Sequence, residues 1–349
     1  VKNWQRLRAQ PALLDQFLMR EKVIDALRAF FKSQSFHEVE TPLLVQSPGT
    51  EPYLEVFETV LKYDDGLEKR SFLLTSPEYA MKKLLVAGMG KIFQVCKSFR
   101  NKEGRSGRHN PEFTILEWYR ADADYTKIMT DCENLLQAIW SSLKGDGEKF
   151  QLQYQGKTYN LASPWERISV AEAFQKYCGV DADTLLSEVE LKKVARQKGY
   201  QVDEATTWEQ VYNQLMLNEI EPHLGQTGPT ILYDYPASQA SLSKKKEADP
   251  RFAERFEFFL AGLELGNAFS ELTDAAEQER RFKLELEERK QLGKTAYEID
   301  QDYLEALRTG MPPTGGIAVG VDRLVMLFAN VSDLADVTFF PAKDIFKLE

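Results

Sequence analysis

Between residues 12 and 33, Leu14, Phe17, Leu18, Ile24, Leu27, Phe30 and Phe31 recur at helical spacing, with arginines and lysines between them. The pattern predicts an amphipathic helix. Phe36 to Pro42 (FHEVETP) follows as a short extended run. Pro42 has no N–H, so this strand lies at a sheet edge or ends there. An alternating run over 54–61, a turn at Asp64-Asp65-Gly66 and RSFLL at 70–74 predict further strands. Thr75-Ser76-Pro77-Glu78 then opens a helix, with Ser76 expected at the N-cap, Pro77 at N1 and Glu78 in the first turn. Phe93 to Tyr119 reads as two strands joined by a charged loop. Side chains alternate along a strand, so Phe113, Ile115, Glu117 and Tyr119 share one face of the second.

Further on, the pattern predicts a helix over about 125–143 and a hairpin across Gln155-Gly156. The stretch from about 169 to 224 is polar and mostly helical. Strand character returns at 230–242. Phe256 to Phe259 and Leu263 to Phe269 flank Ala261-Gly262, a two-residue hairpin turn. Residues 275–291 and 300–309 read as helices, and IAVGVDRLVMLFAN runs from a glycine-rich strand into a helix. There is no internal repeat and no low-complexity linker.

The 349 residues are 43% hydrophobic and 28% charged, enough for one large domain or two smaller ones. No apolar run approaches the ~20 residues of a membrane span. The opening VKNWQRLRAQ lacks the layout of a signal peptide, which makes a cytoplasmic protein the expectation. Cys96, Cys132 and Cys178 are widely spaced and read as buried thiols rather than a disulfide framework or metal cluster. A net charge of −10 counts against a general nucleic-acid binder, although a local basic patch can act alone.

Candidate chemistry concentrates in three places. The loop after Phe99 carries Arg100, Arg105, Arg108 and His109 beside the Phe113–Glu117–Tyr119 face. Cations suit a triphosphate, an aromatic ring suits a base and an acid suits an amine. In the 256–272 hairpin, a turn at Ala261-Gly262 with Leu260 opposite Leu263 places Glu257 opposite Gly266. Glu264 is then its diagonal neighbour on the same face. Two such carboxylates repel unless a cation sits between them, and Mg²⁺ carrying nucleotide phosphates is one. Asn267, Phe269 and Glu271 have the opposite parity to Glu264, so one pocket requires a bulge, expected at Gly266. The plain alternative is a solvated edge with acids on its wet face. Finally, Gly315, Gly316 and Gly320 allow close backbone approach. Arg323 at the following helix start can grip a phosphate, and Asp322 reads as a cap.

These stretches together resemble the catalytic core of a class II aminoacyl-tRNA synthetase of the lysine type. FFKSQSFHEVETP is similar to motif 1, SFRNKEG and RHNPEFTILEWY to motif 2, and GGIAVGVDRLVML to motif 3. RFEFFLAGLELGNAFSEL resembles the lysine-type active-site strands. The resemblance covers about residues 12–340 and implies an α+β fold, an antiparallel sheet flanked by helices. It implies one catalytic domain over 12–349 with a helical insertion at about 169–224, and a homodimer built through motif 1. Its implied catalytic residues are Arg100, on the α-phosphate and substrate carboxylate, and Arg323, on the γ-phosphate beside Gly320. Asn101, Lys102, Glu103, His109, Asn110, Glu264 and Leu265 would surround ATP, with Phe113 stacked on adenine. Glu257 and Glu264 would hold Mg²⁺. Ser76, Pro77, Glu78, Glu117, Tyr119, Asn267, Phe269, Glu271 and Ala318 would surround the amino acid.

Four departures from the lysyl-tRNA synthetase pattern matter. About a dozen residues precede the first core helix, so no anticodon-binding β-barrel is expected. Ala318 stands where that pattern has glycine. YPASQASL and ELTD replace the usual strings. The acid Glu103 follows Arg100 by three residues rather than two, which leaves open whether Lys102 or Glu103 contacts adenine. The first three departures resemble the elongation factor P lysine ligases. These truncated paralogues activate lysine, preferring (R)-β-lysine, and acylate a lysine of elongation factor P, so tRNA is disfavoured as acceptor. The alternatives are a free-standing lysine-activating enzyme that charges tRNA or another acceptor, and a non-catalytic paralogue. The presence of Arg100, Arg323, Glu257 and Glu264 together argues against the last.

Overall fold

The computed structural model describes residues 2–103, 107–145 and 147–347, so Arg105 of the charged loop lies outside the described residues. The amphipathic pattern forms α2 (Leu14–Ser33), which buries Phe17, Val23, Ala26, Leu27 and Phe31. A short helix that the pattern did not announce, α1 (Asn3–Ala9), precedes it. Next come the edge strand β1 (His37–Glu38) and the strands β2 (Leu44–Val45), β3 (Phe57–Lys62) and β4 (Glu68–Leu73). Helix α3 (Glu78–Val86) leads into the long pair β5 (Lys91–Phe99) and β6 (Glu112–Ala121), then α4 (Tyr125–Lys144). The expected hairpin joins β7 (Gln151–Tyr154) to β8 (Lys157–Asn160). Its turn residues Gln155 and Gly156 both have positive φ, 48° and 78°. After β9 (Glu166–Ser169), the polar stretch folds into α5 (Val170–Cys178), α6 (Ala182–Leu186), α7 (Glu188–Gln197) and α8 (Trp208–Leu215). The chain ends with β10 (Thr230–Pro236), β11 (Phe252–Leu260), β12 (Leu263–Ser270), α9 (Ala275–Gln291), α10 (Gln301–Gly310), β13 (Thr314–Gly320), α11 (Val321–Phe328) and α12 (Ala342–Ile345).

Among the described residues the main sheet has eight strands in the order β1-β5-β6-β13-β12-β11-β10-β9. The β5–β6, β6–β13, β13–β12, β12–β11 and β11–β10 pairs are antiparallel, while β1 and β9 run parallel to their neighbours. This is the expected α+β sheet flanked by helices. Alternation along β6 sorts its side chains. Leu116 and Trp118 enter the large core with Phe31 of α2, Leu136 of α4 and Leu327 of α11. Each fully buried side chain of this size contributes about 1.5–3 kcal/mol. Tyr119 turns to the other face, where Met81, Phe269, Phe282 and Tyr303 form a separate cluster. Helices α5–α8 pack their own core, including Phe174, Leu191 and Val211, against Leu232 and Phe259 of the sheet.

Three local expectations are corrected. Pro77, not Ser76, occupies the N-cap of α3. The Ser76 hydroxyl accepts from the Glu78 N–H at 3.1 Å and donates to Glu117 at 2.6 Å, so the site recruits it. Asp322 does not cap α11, whose N-cap is Gly320. It accepts from the Thr114 N–H at 3.0 Å and pairs with Arg20 at 2.5 Å, tying α11 to β6 and α2. In the hairpin, Phe259 faces Glu264 and Phe258 faces Gly266, so Leu265 is the extra residue and Glu257 lies opposite Asn267, not Gly266. The bulge keeps Leu263 and Leu265 in the core yet returns Glu264 and Asn267 to one face. Gly266 is required beside it, because a Cβ there would lie 2.6 Å from the Phe258 ring. Of the three free thiols, Cys132 is buried but Cys96 and Cys178 are only half-buried. Among the described residues no helix is long and apolar enough to cross a membrane.

Candidate active site

Four adjacent strands place the chemistry in rows. Glu117 on β6 lies opposite Ala318 on β13, Ala318 opposite Asn267 on β12, and Asn267 opposite Glu257 on β11. Directly paired residues share a sheet face. One row therefore runs Glu117–Ala318–Asn267–Glu257, and the next runs Tyr119–Gly316–Phe269–Arg255. Any Cβ on Gly316 would strike the Glu271 carboxylate and the Tyr119 ring, so glycine lets these two close in. Over the rows lies a cavity of about 430 Å³.

At one end the cavity is lined by Ser76, Glu78, Glu117, Tyr119, Asn267, Phe269, Glu271 and Ala318. Glu117 is buried and accepts hydrogen bonds from the hydroxyls of Ser76 at 2.6 Å and Tyr119 at 2.9 Å. Burial first, and then Glu78, pushes its carboxyl up to about 8. Lys82, fully buried on α3, bridges Glu78 and Glu271, with its ammonium 2.5 Å from Glu271. Burial works against the Lys82 charge, but Glu271 and Glu78 outweigh it and hold its pKa well above the usual range. Burial also pushes Glu271 up to about 8, against the pull of Lys82. With all three acids ionised, as a cationic ligand would favour, this end would hold two more negative charges than Lys82 balances. Lys82 was hidden in the sequence, because an acid and a lysine at i, i+4 read as a surface pair.

At the other end stand Arg100, Glu103, Arg108, His109, Asn110, Phe113, Glu257, Glu264, Leu265, Gly320 and Arg323. The Arg100 guanidinium lies 5.2 Å over the Phe113 ring, and its Nε is buried without a hydrogen-bond partner among the described residues. An unmet buried donor costs about 1–3 kcal/mol until an acceptor arrives. Arg323 donates to the Glu264 carbonyl at 2.6 Å and to His109 Nε2 at 3.1 Å. Burial and Arg323 hold the His109 pKa down, which leaves a neutral imidazole able to accept. Glu257 is held by Arg255 at 2.6 Å. Arg255 was legible in the sequence, since residues i and i+2 of a strand share a face and it stands two before Glu257.

Residues 2–344 match the tRNA synthetases of class II, the group that covers the D, K and N types. The chain belongs to this family. It is 39% identical over 336 residues to the lysine–tRNA ligase of Pelotomaculum thermopropionicum, covering 95% of this chain and 64% of that protein. It is 37% identical over 328 residues to the lysine–tRNA ligase of Staphylococcus aureus strain MRSA252, covering 93% of this chain and 64% of that one. The chain thus spans 64% of the length of each of these relatives.

Class II synthetase chemistry implies Mg²⁺, and the donor set here fits one. Glu264 is raised to about 7, by desolvation in the cleft and next by Glu257. Its side chain is still 45% exposed, facing the open cavity within enclosing walls, so a cation can reach it. Mutual repulsion of two carboxylates is what a divalent ion relieves. Among the described residues no cluster of three or more metal-ligating side chains exists. Mg²⁺ characteristically takes one or two carboxylates and completes its shell with phosphates and water.

Three of the residues expected at the site stand outside the cavity wall. Asn101 is exposed and bridges to Glu55 through the backbone. Lys102 is exposed, with φ 54° and its Nζ 3.4 Å from Glu55. Pro77 faces a second cavity behind Ser76. Conversely Glu51, in a stretch that read only as a loop, and Leu54, at the start of the alternating run over 54–61, line the first cavity.

Proposed function

We propose that this protein activates lysine, preferentially (R)-β-lysine, with ATP as an aminoacyl adenylate and transfers the acyl group to a lysine side chain of elongation factor P. It would act in the cytoplasm as a homodimer. The observation that carries the activation step is the charge balance at the acidic end of the cavity. Once ionised, its acids would exceed Lys82 by two negative charges, which match the two ammonium groups of a diamino acid and would penalise aspartate or asparagine. The substrate carboxylate would lie toward Arg100, with its buried unmet donor, and attack the α-phosphate. No protein nucleophile is required, so the protein contributes positioning and cationic stabilisation of the phosphates through Arg100 and Arg323. Mg²⁺ held by Glu257 and Glu264 would neutralise β- and γ-phosphate charge.

The protein acceptor rests on the resemblance to the elongation factor P lysine ligases, and the pocket bears on the choice of lysine isomer. Ala318 sits in the row between Glu117 and Asn267, so its methyl reshapes the floor on which an amino group rests. YPASQASL brings Ser241 onto the cavity wall. A second reading, acylation of tRNA, is favoured by the relatives, which are lysine–tRNA ligases at 39% and 37% identity. The two readings separate on incubation with ATP, α- or (R)-β-lysine, and either elongation factor P or tRNA. Mass gain on the factor alone supports the first, and charging of tRNA supports the second. If no lysine isomer releases pyrophosphate, both fail and a non-catalytic paralogue remains.

A further inference from the structure

Behind the amino-acid end lies a second cavity, of about 550 Å³. The 42–49 segment, the start of α3 and the 298–302 segment enclose it. Glu51, Ser76 and Glu78 line both cavities, so these three residues stand between them. The acids of the second cavity are mostly matched. Lys83 holds Asp300 at 2.9 Å and Asp302 at 2.6 Å, and Lys82 holds Glu78. Glu51 is different. Its carboxyl is raised by burial and then by Glu78; a hydrogen bond from its own backbone N–H opposes this, followed by Arg100 and Arg289, and it forms no ion pair among the described residues. The carboxylate folds back over the loop, so a Cβ on Gly49 would lie 2.6 Å from Glu51 Oε2. Gly49, at φ 127°, makes room for it.

The acids of the amino-acid end already match the two ammonium groups of the proposed substrate. Glu51 is thus a surplus carboxylate on the partition, left over for a group that arrives separately. We infer that the second cavity admits an amine acceptor and that Glu51 is the base that takes its proton. The inference rests on the adenylation reading above. In the step, the neutral amine nitrogen attacks the acyl carbon of the adenylate and a C–N bond forms. The bond from that carbon to the phosphate oxygen breaks, AMP leaves with its electron pair, and the proton shed by nitrogen goes to the Glu51 carboxylate. An acid with a raised pKa suits a base working near neutrality.

The test uses the full chain in a single turnover. Enzyme loaded with lysine and ATP and cleared of pyrophosphate is mixed with Nα-acetyl-lysine methylamide. AMP release and acylated probe are followed by mass spectrometry, while pyrophosphate exchange reports adenylation separately. Glu51→Gln, close in shape, should slow transfer at least tenfold more than adenylation and flatten the pH dependence of transfer. Gln46→Trp, at the exposed mouth of the second cavity, should raise the probe KM at least tenfold. Equal loss in both steps makes Glu51 a ligand of the amino acid and overturns the inference. Transfer at the wild-type rate in both variants routes the acceptor through the first cavity and overturns it too. In both of those cases adenylation stands. If wild-type enzyme shows no pyrophosphate exchange, the adenylation reading fails and the inference falls with it.

Discussion

At the acidic end of the cavity the acids have protein partners. Ser76 and Tyr119 bond Glu117, and Lys82 bridges Glu78 and Glu271. At the end lined by Arg100 and Arg323 the groups stand half-open. Arg100 keeps a buried donor unmet, and Glu264 faces the cavity with Arg323 only 3.9 Å from its carboxylate. One end is assembled before any ligand arrives, and the other is completed by what binds. The difference teaches where sensitivity should lie. The closed end should respond to pH and packing, because its charges are buried and mutually dependent. The open end should respond to loss of a single cation, because phosphate charge has few other partners there.

The largest effect expected is at the open end. Arg323→Ala should lower pyrophosphate exchange by about 10³-fold, the scale of losing a preorganised charge donor, with an unchanged circular dichroism spectrum. Wild-type exchange in that variant would remove the phosphate role. At the closed end, Lys82→Met leaves Glu78 and Glu271 buried without their shared cation. It should destabilise the protein by about 3–5 kcal/mol in denaturant titration. An unaltered midpoint would mean that the bridge is unimportant.

The pH response should be smaller and confined to the closed end. Glu117 and Glu271 carboxyls, raised to about 8, carry protons in the free protein at pH 6. An ammonium ligand favours their ionised forms, so binding expels protons. Lysine affinity should therefore rise by up to about tenfold per pH unit per proton released, then level off near pH 8. Stability of the free protein should move the opposite way, falling as pH rises from the ordinary carboxyl value of 4.5 toward about 8 and levelling above it, and lysine should restore it. Calorimetric titration at pH 6, 7 and 8 checks the sign, and affinity that is flat or falls over that range contradicts it. The smallest change is Ala318→Gly. Removing one methyl from the row should shift preference toward α-lysine by about 1 kcal/mol, read as the ratio of kcat/KM for the two isomers. An unchanged ratio leaves Ala318 without a role in discrimination.

The sheet side of this comparison was legible in the sequence because strand parity is a strict rule. It put Phe113, Glu117 and Tyr119 on one face, and it demanded a bulge to bring Glu264 and Asn267 together. The bulge falls at Leu265 rather than Gly266, since packing of Leu263 and Leu265 in the core decides its place. The helix side was less legible. Nothing local to Glu78 and Lys82 says that α3 turns that face inward, because the cause is Glu271, nearly 190 residues away in the chain. Loop residues were the least legible. Asn101 and Lys102 neighbour Arg100 in sequence yet point away, while Glu51 joins the cavity from a segment without periodicity.

The central claim is that the closed end selects a diamino acid for activation at the open end. ATP–pyrophosphate exchange with α-lysine, (R)-β-lysine, aspartate and asparagine, run in parallel at pH 8, tests it most directly. Exchange is expected with at least one lysine isomer, and none above background with aspartate or asparagine. Exchange driven by aspartate or asparagine, or by no amino acid of the four, would contradict it.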